Sequence, residues 1–398
     1  TMFEKVVAAP ADPILGLTEA FRADTRSHKI NLGVGIYKDE TGATPILHCV
    51  KQAEQKLLTD EKTKNYLGIE GNIEYGRIVQ QLLFGRDAAL VTSGRAKTAQ
   101  APGGTGALRI AAEFVVRNNL AKTIWISDPT WANHVSVFQA AGLTVKWYKY
   151  YDAATKGLDF AAMQASLSDA QAGDLVLLHG CCHNPTGFDL TPRDWKRVLE
   201  VVKARELLPL IDFAYQGFGD GLEEDAWAVR LFAAELPELL ITSSCSKNFG
   251  LYRERTGALL VCAGDAEKLI DIRSQLASLA RNLWSTPPAH GAAVVAQILG
   301  DDELKGLWQD ELEGMRLRVA SLRRGLVEAL APHGLSERFA HIVEQRGMFS
   351  YTGLSPLQVQ RLREEFSVYM VGSGRANVAG LDASRLDQLA DAIARVSL

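Results

Sequence analysis

The middle third of the chain alternates short apolar runs with amphipathic stretches. Thr123-Ile-Trp-Ile-Ser127, Leu143 to Tyr148, Asp174-Leu-Val-Leu-Leu-His179, Leu207 to Asp212 and Leu239-Leu-Ile-Thr-Ser243 each read as a strand. Between them, Pro192 to Leu207 repeats Trp195, Val198, Val201 and Val202 at helical spacing. Strands alternating with helices predict crossover units, hence a mostly parallel sheet with helices on both faces. Ligands of such sheets bind beyond the carboxyl ends of the strands. The polar residues that stop each run are therefore where chemistry is expected: Asp128 to Trp131, His179 to Asn184, Asp212 to Tyr215, and Ser243 to Lys247.

Past residue 265 the texture changes. Ala266 to Leu283 and Asp302 to Leu330 read as long helices, the second with Leu307, Leu312, Met315, Val319, Leu322 and Leu326 on one face. Gly347 to Thr352 and Val368 to Val371 then read as strands of a separate, smaller unit. No repeat, low-complexity tract or Pro/Gly/Ser-rich linker interrupts the chain, so its domains are expected to be packed rather than strung out.

Three of the stops and one glycine-rich turn carry residue types with a chemistry. Lys247, in Ser243-Ser-Cys-Ser-Lys-Asn-Phe-Gly250, lies just past a strand with Arg255 eight residues on. Desolvation and nearby cations lower a lysine pKa at such a place, and the free amine can form an imine with an aldehyde cofactor. The plain alternative is a solvated surface lysine. Pro102-Gly-Gly-Thr-Gly106 opens a helix predicted over Ala107 to Val116, a phosphate cup of backbone N–H groups. It has neither the Lys-Ser/Thr of a Walker loop nor the G-x-G-x-x-G spacing of a dinucleotide site. In Asp212-Phe-Ala-Tyr215 a carboxylate can hold a pyridinium N–H, against the alternative of a helix cap. His179-Gly-Cys-Cys-His183 invites a zinc reading, but no second ligand pair stands at finger spacing, and no metal is assigned. Asn184-Pro-Thr-Gly187 reads as a rigid turn aiming the Asn184 amide, with either isomer of the Asn184–Pro185 bond open.

Composition narrows the classes. The 398 residues set a prior of two or three domains, and 47% hydrophobic with 23% charged residues excludes collagen, disorder and a small disulfide scaffold. A net charge of −4 leaves no broad basic field for nucleic acid. Five cysteines, an odd and sparse set, point to reduced thiols and a cytoplasmic enzyme. Thr1 to Pro13 lacks the pattern of a signal peptide, and no apolar run reaches bilayer length, so no membrane partner is expected.

Taken together, Cys182-His-Asn-Pro-Thr-Gly187, Asp212-Phe-Ala-Tyr-Gln-Gly217 and Ser246-Lys-Asn-Phe-Gly250 are highly specific. With them the chain resembles the class I aminotransferases that use pyridoxal 5′-phosphate (PLP), specifically the aspartate and aromatic amino-acid branch. The likeness runs from Asp12-Pro-Ile-Leu to Arg375-Ala-Asn-Val-Ala-Gly380, and Ala280-Arg-Asn-Leu-Trp-Ser-Thr-Pro-Pro-Ala-His-Gly291 is similar to bacterial aromatic members. The resemblance implies an α/β fold, PLP-dependent transferase fold type I: a large domain with a mostly parallel sheet sandwiched by helices, and a smaller α+β domain. Residues 46–312 would form the large domain, and 1–45 with 313–398 the small one.

It also implies roles. Lys247 would be the Schiff-base lysine and proton shuttle. Asp212, backed by His134, would pair with the ring nitrogen. Asn184 and Tyr215 would bond the ring oxygen, and Trp131 would stack on the ring. Gly103, Gly104, Thr105, Ser244, Ser246 and Arg255 would cradle the phosphate, joined by Tyr66 from a neighbouring subunit of a homodimer. Arg375 would clamp the substrate α-carboxylate, a bidentate contact that lysine cannot make. Arg281 would reach from the partner subunit to the distal carboxylate, and Gly35 would line the substrate site, in a Gly33-Val-Gly35 segment suited to movement.

Arg281 does not separate an aromatic from an aspartate enzyme, because glutamate or 2-oxoglutarate is the second substrate of both. An aromatic enzyme also needs an apolar rim so that the arginine charge is not stranded. Ile14, Leu17, Ile36, Trp284 and Phe349 are candidates, with core packing as the alternative for each. Trp284 stands where most such relatives carry tyrosine, and Cys245 replaces an aromatic. The favoured expectation is transamination of phenylalanine, tyrosine and tryptophan with 2-oxoglutarate, with aspartate activity retained. An aspartate enzyme with minor aromatic activity is the alternative. A carbon–sulfur lyase or decarboxylase is disfavoured by the Arg281 and Arg375 pair, and a PLP-binding regulatory module by the absence of an added basic domain.

Overall fold

A computed structural model describes all residues, Thr1–Leu398, and they divide into two compact units. One comprises Thr44–Arg318 with Gln345–Gly347. The other comprises Thr1–Ala43, Val319–Glu344 and Met348–Leu398.

The larger unit is built on seven strands: β2 (Ala96–Pro102), β3 (Thr123–Asp128), β4 (Thr144–Lys149), β5 (Leu175–His179), β6 (Leu208–Phe213), β7 (Leu239–Ser244) and β8 (Thr256–Cys262). Their order is β2-β8-β7-β6-β5-β3-β4. Five strands, β7, β6, β5, β3 and β4, run parallel, as the alternation of strands and helices predicts. β8 is antiparallel to both β2 and β7, an edge that the apolar pattern does not announce. The carboxyl ends of β5 and β6 lie in register, with His179 opposite Asp212. One face of the sheet buries Ile126, Leu177, Leu210 and Leu259 against Ile110 and Phe114 of helix α1 (Gly103–Arg117).

Local rules account for the connecting helices. Helix α3 (Pro192–Arg205) starts with a capping box between Thr191 and Asp194, has proline in its first turn, and buries Trp195, Val198, Leu199 and Val202. It ends two residues before the predicted Leu207 because Glu206 is left-handed, with φ 55°, and Leu208 enters β6. Helix α1 begins at Gly103 rather than at the predicted Ala107. Glycine is a poor helix former, so periodicity hides that first turn. Helices α5 (Lys268–Leu283) and α6 (Asp302–Leu330) follow; α5 starts two residues after the predicted Ala266.

The smaller unit draws on both ends of the chain. β1 (Ile30–Asn31) pairs in parallel with β10 (Val368–Tyr369), and β9 (Phe349–Tyr351) pairs antiparallel with β11 (Arg375–Asn377). Both strands predicted here exist but are shorter than read. No helix of the molecule is long and apolar enough to cross a membrane.

Candidate active site

In the larger unit, the predicted strand stops converge at the carboxyl ends of β3, β5, β6 and β7. Asp212, at the end of β6, accepts a hydrogen bond from His134 Nε2 at 2.7 Å. His134 lies in the first turn of helix α2 (Ala132–Ala140), with its ring 1% exposed. Trp131, the residue before α2, stands edge-on to the His134 ring, 5.2 Å between centroids. Burial pushes the Asp212 carboxyl up, but the His134 bond and the charges of His134, His179 and Lys247 outweigh it. The group is held below the ordinary aspartate range.

Behind His134 runs a polar chain that sequence reasoning did not find. His134 Nδ1 lies 2.8 Å from Thr130 Oγ1, which lies 3.0 Å from His179 Nε2. Thr130 has one hydroxyl proton for two nitrogens, so the chain has two proton arrangements. In one, His179 Nε2–H donates to Thr130, and the Thr130 hydroxyl donates to His134 Nδ1. In the other both bonds reverse and His134 is cationic. Burial and the His134 charge, opposed by Asp212, push the His179 pKa down to about 3.

His183 packs against His179, 4.1 Å between ring centroids, and its tautomer is fixed. Its Nδ1 accepts from Thr186, so Nε2 carries the proton and donates to Ser127 Oγ at 2.9 Å, and Ser127 passes its own to the Pro129 carbonyl at 2.7 Å. Burial, with His179 and His134 nearby, holds His183 well below the usual histidine range. Thus both histidines of the His-x-x-x-His spacing face hydroxyl groups. Cys181 and Cys182 lie instead with Asp225, all buried and their ligand atoms within 4.8 Å of one another. That carboxylate accepts backbone N–H groups from Gly217, Gly219 and Asp220. The signal for His179 and Thr130 was their place at strand ends; their mutual contact spans 49 residues and leaves no local mark.

Lys247 follows β7, with Nζ 5.6 Å from the Tyr215 ring centroid and 5.9 Å from that of Tyr252, which sequence reasoning had passed over. Its loop is pinned from below. Phe249 stacks on Trp308 of α6 at 4.3 Å, and the Trp308 indole donates to the Asn248 carbonyl at 2.7 Å. Cys245, beside it, is buried 3.7 Å from the Tyr75 hydroxyl. Asn184 is buried, and the Asn184–Pro185 bond is cis.

The glycine turn meets the same strand ends. Gly103 has φ +76°, and a Cβ there would come within 2.6 Å of Arg255 Nη2. Gly104 faces Ser244, whose Cβ and Oγ lie 3.4 and 3.8 Å from where its own Cβ would stand. Helix α1 receives no side-chain cap at its N-terminus, so its first N–H groups, Thr105 among them, lack a side-chain partner beside Ser244 and Arg255, and the Ser244 hydroxyl accepts from Ser246 N at 3.2 Å. An uncapped helix start with a guanidinium and two hydroxyls is a donor set for a phosphate dianion. An ionised carboxylate and a lysine amine complete a set that suits an aldehyde-bearing pyridinium. The residues therefore fit PLP.

The remaining predicted residues stand elsewhere. Tyr66 is 91% exposed, and Arg281 is exposed with its guanidinium on Ser285. Arg375 and Gly35 belong to the smaller unit. Arg375 is buried, donates to the Gly33 carbonyl at 2.8 Å, and lies over the Phe349 ring at 4.1 Å. Of the apolar rim candidates, Leu17 packs on Gly33, Phe349 lies under Arg375, and Trp284 packs against the main core, while Ile14 and Ile36 are half-buried.

Comparison with known proteins agrees with this geometry. The family model for aminotransferase class I and II matches residues 27–393. The aromatic-amino-acid aminotransferase of Pseudomonas aeruginosa is 66% identical over 394 residues, covering 99% of this chain and 98% of that one. The aspartate aminotransferase of Escherichia coli is 55% identical over 395 residues, 99% and 100% of the two chains. The crystal structure of the aromatic-amino-acid aminotransferase from Burkholderia pseudomallei, covalently bound to pyridoxal phosphate, superposes with a TM-score of 0.97 at 49% identity, covering 100% and 99%.

Proposed function

The chain belongs to the class I and II aminotransferases, and from that premise we propose that it is a PLP-dependent transaminase of aromatic amino acids. It exchanges the amino group of phenylalanine, tyrosine or tryptophan with 2-oxoglutarate and retains activity on aspartate. The observation that carries the reading is the carboxylate of Asp212, held ionised by His134 at the end of β6, the strand that pairs with the one preceding Lys247. Bound PLP supplies an aldehyde that takes the amino group and a ring that accepts the electron pair left at the substrate Cα.

The chain's own residues do the rest. Lys247 Nζ takes the proton from the substrate Cα and returns it. Asp212 keeps a proton on the ring nitrogen by staying anionic itself. Asn184 and Tyr215 donate to the ring oxygen, and Trp131 covers the ring. Gly103, Gly104, Thr105, Ser244, Ser246 and Arg255 hold the phosphate, with Tyr66 of a second copy. Arg375 binds the α-carboxylate through its planar fork. Arg281 of a second copy meets the distal carboxylate, and Gly35 borders the substrate.

The working unit is a homodimer. Met2, Phe3, Val6, Val7, Tyr66 and Ile73 are all more than 70% exposed in the single chain, apolar surface that a second copy would cover. The protein is cytoplasmic, consistent with five cysteines that are all buried and none in a disulfide.

Steady-state comparison of phenylalanine, tyrosine and aspartate, each with 2-oxoglutarate, tests the substrate reading. Higher kcat/KM for the aromatic pair is expected, and activity on aspartate alone would overturn it. Lys247→Ala tests the chemistry: transamination at the wild-type rate with no added amine would remove Lys247 from its role.

A further inference from the structure

β11 carries Arg375 at its start, and the ribbon it forms with β9 is only two strands wide. Such a ribbon is marginal without support. Thr352 N donates to Gly374 O at 3.0 Å and Val378 N to Met348 O at 2.8 Å, so the even-numbered residues of β9 face β11. The carbonyls of Phe349 and Tyr351 therefore point away from β11, where a third strand would lie, and buried carbonyls need donors.

Two side chains supply them. Arg323, on α6, donates from Nη2 to the Phe349 carbonyl at 2.8 Å and from Nε to the Ser350 hydroxyl at 3.0 Å. His341 Nε2 donates to the Tyr351 carbonyl at 2.9 Å. Arg323 is 4% exposed. Burying a guanidinium is costly, and an apolar side chain of similar length would fill the volume at less expense. What the arginine adds is a rigid fork that reaches two neighbouring acceptors at once.

The fork fixes the residue on which Arg375 rests. The Phe349 ring lies 4.1 Å from the Arg375 guanidinium on one side. On another it lies so close to Gly35 that a Cβ there would come within 2.9 Å of Phe349 Cζ. A shift of the Phe349 backbone would move the guanidinium and the Gly33 to Gly35 segment to which it is bonded.

We propose that Arg323 is a positioning residue for Arg375: standing in for the missing third strand at Phe349, it sets the affinity of the enzyme for the α-carboxylate of amino and 2-oxo acids. The proposal rests on Arg375 being the carboxylate clamp.

The test uses holoenzyme and two probes, 3-phenylpropionate, which has the carboxylate but no amine, and 2-phenylethylamine, which has the amine but no carboxylate. Arg323→Met is expected to weaken 3-phenylpropionate binding about tenfold and to raise the KM of phenylalanine similarly, on the scale of lost charge-assisted bonds. The half-reaction of 2-phenylethylamine, followed by cofactor absorbance, should keep its wild-type rate. Arg323→Lys should recover part of the affinity. Ser350→Ala removes one acceptor without burying or unburying a charge, should cost about threefold, and serves if Arg323→Met does not fold. Unchanged 3-phenylpropionate affinity in the folded variants overturns the proposal, and so does an equal loss with both probes, which marks a merely structural arginine. An Arg375→Lys variant that binds 3-phenylpropionate like wild type defeats the clamp reading itself, separately from Arg323.

Discussion

Two aspartates of the larger unit, thirteen residues apart, one half-buried and one buried, are shifted in opposite directions. Asp212 lies below the ordinary range because a histidine bond and nearby cations outweigh burial. Asp225 accepts three backbone N–H groups, yet burial, with Asp189 nearby, pushes it up to about 6. Three backbone N–H groups do not offset burial at Asp225, whereas the His134 bond and nearby charges more than offset it at Asp212. The first arrangement suits a reacting centre and the second a loop anchor.

The largest effect should come from Asp212→Asn, which leaves the shape but removes the charge. Loss of roughly 10²–10³-fold in the first half-reaction is expected by stopped-flow absorbance, as for a lost preorganised charge. Asp225→Asn should leave that rate near wild type, and an equal loss there breaks the contrast.

The next effect is on stability. Between pH 3.8 and about 6 the unfolded chain has lost a proton that folded Asp225 keeps. Wild-type stability should therefore fall by about 1.4 kcal/mol per pH unit across that window, roughly 3 kcal/mol in all. Urea unfolding of Asp225→Asn should lack that component.

His179 acts with the opposite sign. Its folded pKa near 3 means that, as pH drops below 6.5, the unfolded chain gains a proton that the fold refuses. Its contribution is complete above 6.5 and shrinks by about 2 kcal/mol by pH 5. His179→Asn should flatten that acid limb, whereas a slope like the wild type's would mean that His179 is charged in the fold. The smallest change is expected from Thr130→Val, about 1–2 kcal/mol by urea unfolding, the scale of the two hydrogen bonds that its hydroxyl makes to His134 and His179.

Much of the site was legible because its residues sit where apolar runs stop. Asp128 to Trp131, Asp212 to Tyr215 and Ser243 to Lys247 follow strand ends whose β-branched and leucine residues announce themselves. The sheet's far edge did not. β2 reads Ala-Lys-Thr-Ala-Gln-Ala-Pro, without β-branched enrichment, and is a strand because it pairs residue for residue with β8. The resemblance had placed His134 behind Asp212, but the continuation through Thr130 to His179 was equally hidden, since its last link joins residues 49 positions apart. Local pattern records what a residue does to its own backbone, and these residues act on distant ones.

The parallel pairing of Ile30 with Val368 has a consequence for synthesis. The partner of β1 leaves the ribosome more than three hundred residues later. At bacterial-to-eukaryotic elongation speeds of roughly 5–20 residues per second, that is a wait of some tens of seconds. Throughout it, the emerging amino-terminal segment has no strand to join, whereas all seven strands of the larger sheet are completed before it ends. Vectorial synthesis thus sets an order of assembly, with the first-made segment among the last to find its place.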